Sequence, residues 1–346
     1  MCPEKCSKIE MKILVDVPPS DSALTKLRSE NNVQIVCVEP EEEHARRLDP
    51  AILSDVDALF CTYPPTNLDD MRAVKWIQIA SVGYDQLIEL DLPKRGVRAT
   101  NCRGCLDVPI AEWNIAMMVN LVRNLPQMFR NQANAVWDRS NIFQREIRGA
   151  TLGLWGYGGI GRETARLASH MGLRIHAMTR NGVGRRENTY LVAGTGDPEG
   201  VLPHRVFRAG EELEFLAGLD FLIVAMPLTK ASEGLLGERE LRALRKTAFL
   251  LNPARGPIVQ EAALLRALKE NWFAGAALDT HFAYPLPPDH PLWKMPNVIL
   301  TPHISGSNGS QGFSERLWDL FSQNVTRYLK GEPLLNELSV TQLSGK

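Results

Sequence analysis

Hydrophobic residues in this chain gather in short, near-continuous runs at residues 11–16, 33–38, 58–61, 76–80 and 97–101, separated by polar turns and helix-like stretches. Runs of this length with β-branched and aromatic content predict buried strands, and their alternation with helices predicts parallel βαβ units. From residue 107 the spacing changes. Ile110, Ala111, Ile115, Ala116, Met118, Val119 and Val122 recur at helical intervals. They predict a long helix to Arg123, with Asp107 as its N-cap and Pro126 as its end. Met117 and Met118 read as packing residues, since Met fills irregular gaps between helices. The strand pattern resumes at 151–155, 174–178, 221–225, 247–252, 274–278 and 298–300, and residues 310–329 predict a closing helix. The expected fold class is α/β, with two Rossmann-like domains of doubly wound parallel sheet. The second domain, 107–304, is expected to be inserted into a discontinuous first domain of residues 1–106 and 305–346.

A length of 346 residues suits two domains. With 39 basic and 40 acidic side chains there is no global field to attract nucleic acid or an anionic membrane. No run reaches the roughly 18 apolar residues of a membrane helix, and residues 1–10 lack the apolar core of a signal peptide, so a cytoplasmic location is expected. Cysteines at Cys2, Cys6, Cys37, Cys61, Cys102 and Cys105 are too sparse for a disulfide scaffold and are expected as reduced thiols. Cys102 and Cys105 have redox or zinc spacing but no matching second pair, so they read as small buried residues in a loop. His44, His170, His176, His204, His281 and His290 show no ligand spacing; no metal is expected, and these rings read as structural or exposed.

The clearest chemistry is Gly156-Tyr157-Gly158-Gly159-Ile160-Gly161, which follows a predicted strand and opens a predicted helix at 162–171. In that context Gly156 permits the tight turn, Gly158 the close approach of a pyrophosphate, and Gly161 the packing of helix on strand. The helix N-terminus favours the negative charge. A dinucleotide site is therefore expected. After the next strand an acidic residue would bind the ribose hydroxyls of NAD, but the chain reads Thr179-Arg180-Asn181. Thr179 and Arg180, with Arg185 or Arg186, suit a 2'-phosphate, so NADP is favoured and NAD remains possible.

Several motifs, in order, resemble those of the D-isomer-specific 2-hydroxyacid dehydrogenases, over residues 11–335. Ser81-Val82-Gly83 is similar to the loop whose amides hold the substrate carboxylate, and Pro227-Leu228-Thr229 to a cofactor-side loop. Asn252-Pro253-Ala254-Arg255-Gly256 resembles the segment bearing the catalytic Arg. Asp279 matches a nicotinamide-contacting Asp, and Thr301-Pro302-His303 the catalytic His segment. The resemblance implies reduction of a small 2-oxo acid to the D-2-hydroxy acid in a cleft between domains, and a homodimer formed through the cofactor domain. Arg255 offers a permanently charged fork for carboxylate and ketone oxygens, and His303 can protonate the forming alkoxide.

One position departs from the pattern. The family places before Pro285 a Glu that pairs with the catalytic His; here Tyr284 stands there. A neutral phenol could orient His303 by a hydrogen bond but would not raise its pKa as an anion does. Three readings follow: an enzyme with an altered pH optimum, a reductase whose substrate supplies the missing charge, or a catalytically impaired dinucleotide-binding regulator. Residues 187–212 form a further departure, rich in Gly and Pro, expected as a surface insertion.

Overall fold

The computed structural model describes residues 11–344 apart from Asn31 and Asn181; Cys2 and Cys6 lie outside the described residues. The longer helices are α1 (Asp21–Glu30), α2 (Asp107–Val122), α3 (Leu125–Ala133), α4 (Gly159–His170), α5 (Glu261–Lys269) and α6 (Gln311–Leu329). Two compact units emerge. The first comprises Met1–Cys105, Glu187–Val192 and Asn308–Lys346, the second Leu106–Arg186 and Ala193–Ser307.

In the first unit β1 (Met11–Asp16), β2 (Val33–Cys37), β3 (Ala58–Cys61), β4 (Trp76–Ile79) and β5 (Arg98–Thr100) form a parallel sheet in the order β2-β1-β3-β4-β5. The apolar runs are continuous because both faces are covered, as parallel sheets require. Leu14, Leu59, Ile77 and Ala99 contribute to one core. On α6, Phe321 stacks on Phe60 with ring centroids 4.1 Å apart, and Trp318 meets the same ring edge-on. Residues 187–192 pack in this unit too: Asn336 N donates to Asn188 O, and the Tyr190 hydroxyl donates to Asp319 Oδ2 at 2.9 Å.

In the second unit β6 (Thr151–Trp155), β7 (Arg174–Met178), β8 (Arg205–Phe207), β9 (Phe221–Val224), β10 (Phe249–Asn252), β11 (Gly275–Leu278) and β12 (Val298–Leu300) form a parallel seven-stranded sheet. Its order, β12-β11-β10-β9-β6-β7-β8, reverses direction between β9 and β6. Ligands bind open α/β sheets at the carboxyl ends of the strands beside such a switch.

Three local expectations are corrected. Strand β8 lies inside the insertion; its three residues carry too little pattern to read alone. It forms because it pairs with β7 and buries Phe207 against Phe215 at 5.3 Å. Leu106, not Asp107, caps α2, and no side chain accepts there. The helix closes at Val122 with Arg123 as its C-cap, in line with the expected end at Arg123, but Pro126 does not stop it: Asn124 turns the chain with a left-handed φ of 50°, and Pro126 opens α3, where its missing N–H costs nothing.

Candidate active site

The strands of the second unit deliver the expected residues at their carboxyl ends: Gly156 after β6, Thr179 after β7, Pro227 and Thr229 beyond β9, Arg255 beyond β10, Asp279 after β11 and His303 beyond β12. At the switch, Gly156 has a φ of 106°, and a side chain there would strike the Ala225 carbonyl. One at Gly161 would press on the Gly156 carbonyl, whereas Gly158 faces open space. Gly159 and Ile160 begin α4, so its first N–H groups border that opening. This shape and polarity fit the pyrophosphate of a dinucleotide.

The chain from residue 183 into the insertion is docked on this loop. Arg162, buried in the first turn of α4, donates to the carbonyls of Val183 (2.8 Å) and Gly184 (2.6 Å), and also to that of Asp197. The Tyr157 hydroxyl donates to Asp197 Oδ2 at 2.6 Å, and Gly196 N to Glu163 Oε2 at 2.5 Å. Burial works against the Asp197 carboxylate. The Tyr157 hydroxyl and the amides of Leu202 and Val201 outweigh it and leave the pKa below the ordinary value. Thr179 Oγ1 reaches Gly182 O at 3.3 Å and Arg180 is exposed. Ser232 Oγ braces the 227–229 loop, accepting from Thr229 N and donating to Pro227 O, each at 2.8 Å.

At the other end of the sheet, Asn252 sets the turn before Arg255, accepting from Ala254 N and donating to Arg255 O at 2.9 Å. Gly256 is needed because the His281 carbonyl occupies the place of a side chain. Asp279 is fully buried and accepts from Thr301 Oγ1 (2.5 Å), Ile304 N (2.9 Å) and Ser305 N (3.0 Å), gripping the His303 turn on both sides. His303 itself takes a left-handed φ of 57°. Desolvation, then the Arg255 charge, push its pKa down; Asp279 opposes them.

Tyr284 does not make the expected hydrogen bond. Its hydroxyl accepts from His281 N at 3.2 Å, while its ring lies tilted beside His303 at 5.5 Å between centroids. Partial burial holds the phenol above its ordinary pKa, so it stays neutral. His281 is a residue that sequence spacing passed over. It is 6% exposed, its Nε2 lies 2.8 Å from Thr301 O, and its Nδ1 is buried without a hydrogen-bond partner. The nitrogen facing a carbonyl must carry a proton, so Nε2 is the donor to Thr301 O. Its only sequence signal was adjacency to Asp279-Thr280. His204, His170 and His290 are tied locally, to Ile175 N, Arg166 O and Glu261 respectively.

In the first unit the 81–83 loop follows β4. Ser81 Oγ donates to Gly83 O at 2.7 Å and Asn101 Nδ2 to Val82 O at 2.7 Å. Cys102 Sγ donates to Ala80 O, and Cys37, Cys61, Cys102 and Cys105 form no disulfide. No group of His, Cys, Asp or Glu among the described residues could hold a metal, and no described helix is long and apolar enough to cross a membrane.

A glycine-loop dinucleotide site at the switch of one parallel sheet, with Arg and His on strand ends that flank the strand bearing Asp279, defines a nicotinamide-dependent oxidoreductase. Comparison narrows the class. Residues 115–305 match the family model described as "D-isomer specific 2-hydroxyacid dehydrogenase, NAD binding domain". A glyoxylate reductase of Thermofilum pendens is 34% identical over 288 residues, covering 81% of this chain and 80% of that protein. Among solved structures, a D-isomer specific 2-hydroxyacid dehydrogenase of Xanthobacter autotrophicus in complex with NADPH and MES superposes with a TM-score of 0.77 at 25% identity, covering 96% and 99% of the two chains. A family protein of Aeromonas salmonicida shares the fold with a TM-score of 0.78 at 23% identity, over 95% and 99%. The chain belongs to the D-isomer-specific 2-hydroxyacid dehydrogenase family and is an NAD(P)-dependent enzyme of that family.

Proposed function

We propose that the chain is an NADP-preferring reductase of small 2-oxo acids, with His303 as acid/base and Arg255 as the substrate-binding cation. The observation that carries the chemistry is the turn at β12: Asp279 fixes it from both sides and so aims His303, whose charge is coupled to that of Arg255. The bound nicotinamide supplies the hydride. Arg255 orients and polarises the 2-oxo group, and the protonated His303 delivers a proton to the oxygen as C2 is reduced. For Ser81, Val82 and Gly83 we propose carboxylate binding through backbone amides, since the carbonyls of Val82 and Gly83 are already committed to other donors. Asp279 is proposed to contact the nicotinamide from its buried position.

NADP preference rests on Thr179 and the exposed Arg180 just after β7, where an acid would exclude a 2'-phosphate. The related Xanthobacter structure holds NADPH. The residues Pro227 and Thr229 are proposed to border the cofactor from the braced loop after β9. A small 2-oxo acid such as glyoxylate or hydroxypyruvate is the substrate class favoured by the relatives. A homodimer through the second unit is supported by α3 and the segment after it, where Phe129, Val136, Trp137 and Ile142 are all more than half exposed. A cytoplasmic location is proposed on the balanced charge and the thiols outside disulfides among the described residues.

Tyr284 supports a second reading, a catalytically impaired regulator that binds dinucleotide without turning over. A panel of 2-oxo acids assayed with NADPH and NADH side by side separates the two. Turnover is expected, with kcat/KM for NADPH about tenfold or more above NADH, the worth of one charge-assisted phosphate contact. Equal rates with NADH would remove the cofactor preference. Tight binding with no turnover would favour the regulator.

A further inference from the structure

His303 holds a left-handed φ of 57°, a conformation that side chains disfavour, so its surroundings must enforce it. The turn that does so is short. His303 N donates to Thr301 O at 3.0 Å, closing a three-residue turn around Pro302. Thr301 O is the pivot of that turn, and a carbonyl has two lone pairs. His281 Nε2 donates to the same oxygen at 2.8 Å. The rest of Thr301 is held by β11 and the residue after it: its N donates to Leu278 O at 3.0 Å and its Oγ1 to Asp279 Oδ1 at 2.5 Å.

His281 is placed for this bond. Its N donates to the Tyr284 hydroxyl at 3.2 Å, and its carbonyl rests on Gly256, where a side chain would collide with it. The ring is 6% exposed and its Nδ1 has no hydrogen-bond partner, so the bond to Thr301 O fixes how the ring is turned. Asp279 grips the turn through Thr301 Oγ1 and the amides of Ile304 and Ser305. A carboxylate cannot donate to a carbonyl, however, and that oxygen is left to His281. Building on the acid/base role proposed above for His303, we infer that His281 is a positioning residue for the reduction: it holds the Thr301 carbonyl, and with it the turn that aims the His303 ring. The Tyr284 hydroxyl is taken by His281 N, so His303 is oriented from the backbone side.

Steady-state kinetics of the full chain with NADPH and the 2-oxo acid it reduces fastest, alongside the dissociation constant of NADPH, test this. His281→Phe keeps a flat ring and removes the donor. It is expected to lower kcat by about ten- to a hundredfold, the cost of a misaimed catalytic group, while KM and the NADPH constant stay within about twofold. His281→Gln, whose amide nitrogen extends to the place of Nε2, is expected to restore most of kcat; His281→Asn, one carbon shorter, is not. Amide exchange at His303, whose N–H closes the turn, should quicken in His281→Phe and slow again in His281→Gln. An unchanged kcat in His281→Phe, or a loss shared equally by NADPH affinity, would overturn the inference. If His281→Phe does not fold, equal kcat in the Gln and Asn variants would overturn it. Full turnover in His303→Ala would instead overturn the acid/base reading of His303, whatever the His281 variants do.

Discussion

His303 carries the proton in the proposed reduction, and its neighbours decide when the proton is there. Burial and Arg255 hold the imidazolium pKa below its ordinary value near 6.5, His281 adds to them, and Asp279 opposes. Reduction requires the protonated ring. The rate constant kcat/KM for a 2-oxo acid is therefore expected to be highest in acid and to fall as pH rises through that depressed value. Tyr284→Glu places an anion beside His303 and is expected to move the falling limb upward by about one pH unit or more, read from a pH profile. An unmoved limb would show that position 284 does not govern His303. His303→Ala is expected to lower turnover by about two to four orders of magnitude. At this scale the strand-end positions of the glycines, Arg255, Asp279 and His303 were legible, because each stands in a fixed local pattern. The setting of His281 was not: it arises from which distant backbone passes beside the ring, and neither composition nor spacing records that.

Among the elements, the insertion differs most from its sequence-based expectation. Read as a tolerated surface loop, it is instead bolted to α4 through Arg162, Glu163 and Tyr157, and it contributes β8 to the sheet. Its Gly and Pro content marks turns but hides the buried Asp197 around which they wind. Removing that carboxylate leaves the Tyr157 hydroxyl and the Val201 and Leu202 amides without their acceptor. Asp197→Ala is expected to cost about 2 kcal/mol in denaturant unfolding. Amide exchange at 201 and 202 should accelerate while β6 and β9 keep their protection; retained protection at 201 and 202 would show that Asp197 does not anchor the segment. The strands themselves were legible to within a residue or two, since continuous apolar runs leave little choice of register. Element ends were less so: α2 stops near Arg123 as expected, but the turn into α3 is made by the left-handed Asn124, which spacing alone does not announce, and Pro126 opens the next helix instead of ending this one.

For the whole molecule, the assembly proposal rests on apolar side chains that a monomer would leave in water, Trp137 at 89% exposure foremost. Trp137→Asp combined with Phe129→Asp is expected to convert a dimer into a monomer by light scattering. A monomeric unaltered protein would rule that assembly out.

The ring stacking of α6 on the first sheet bears on how the chain is made. Phe60 and Trp76 are wholly buried, and both stack on Phe321, which follows β5 by the full length of the second unit. During synthesis the first five strands must therefore wait, with one greasy face bare, until the intervening residues have left the ribosome and α6 arrives to cover them. The second unit carries all its strands between residues 151 and 300, interrupted only by residues 187–192, and can close first. The order of completion thus reverses the order of translation, and the waiting sheet is where a chaperone would find its client.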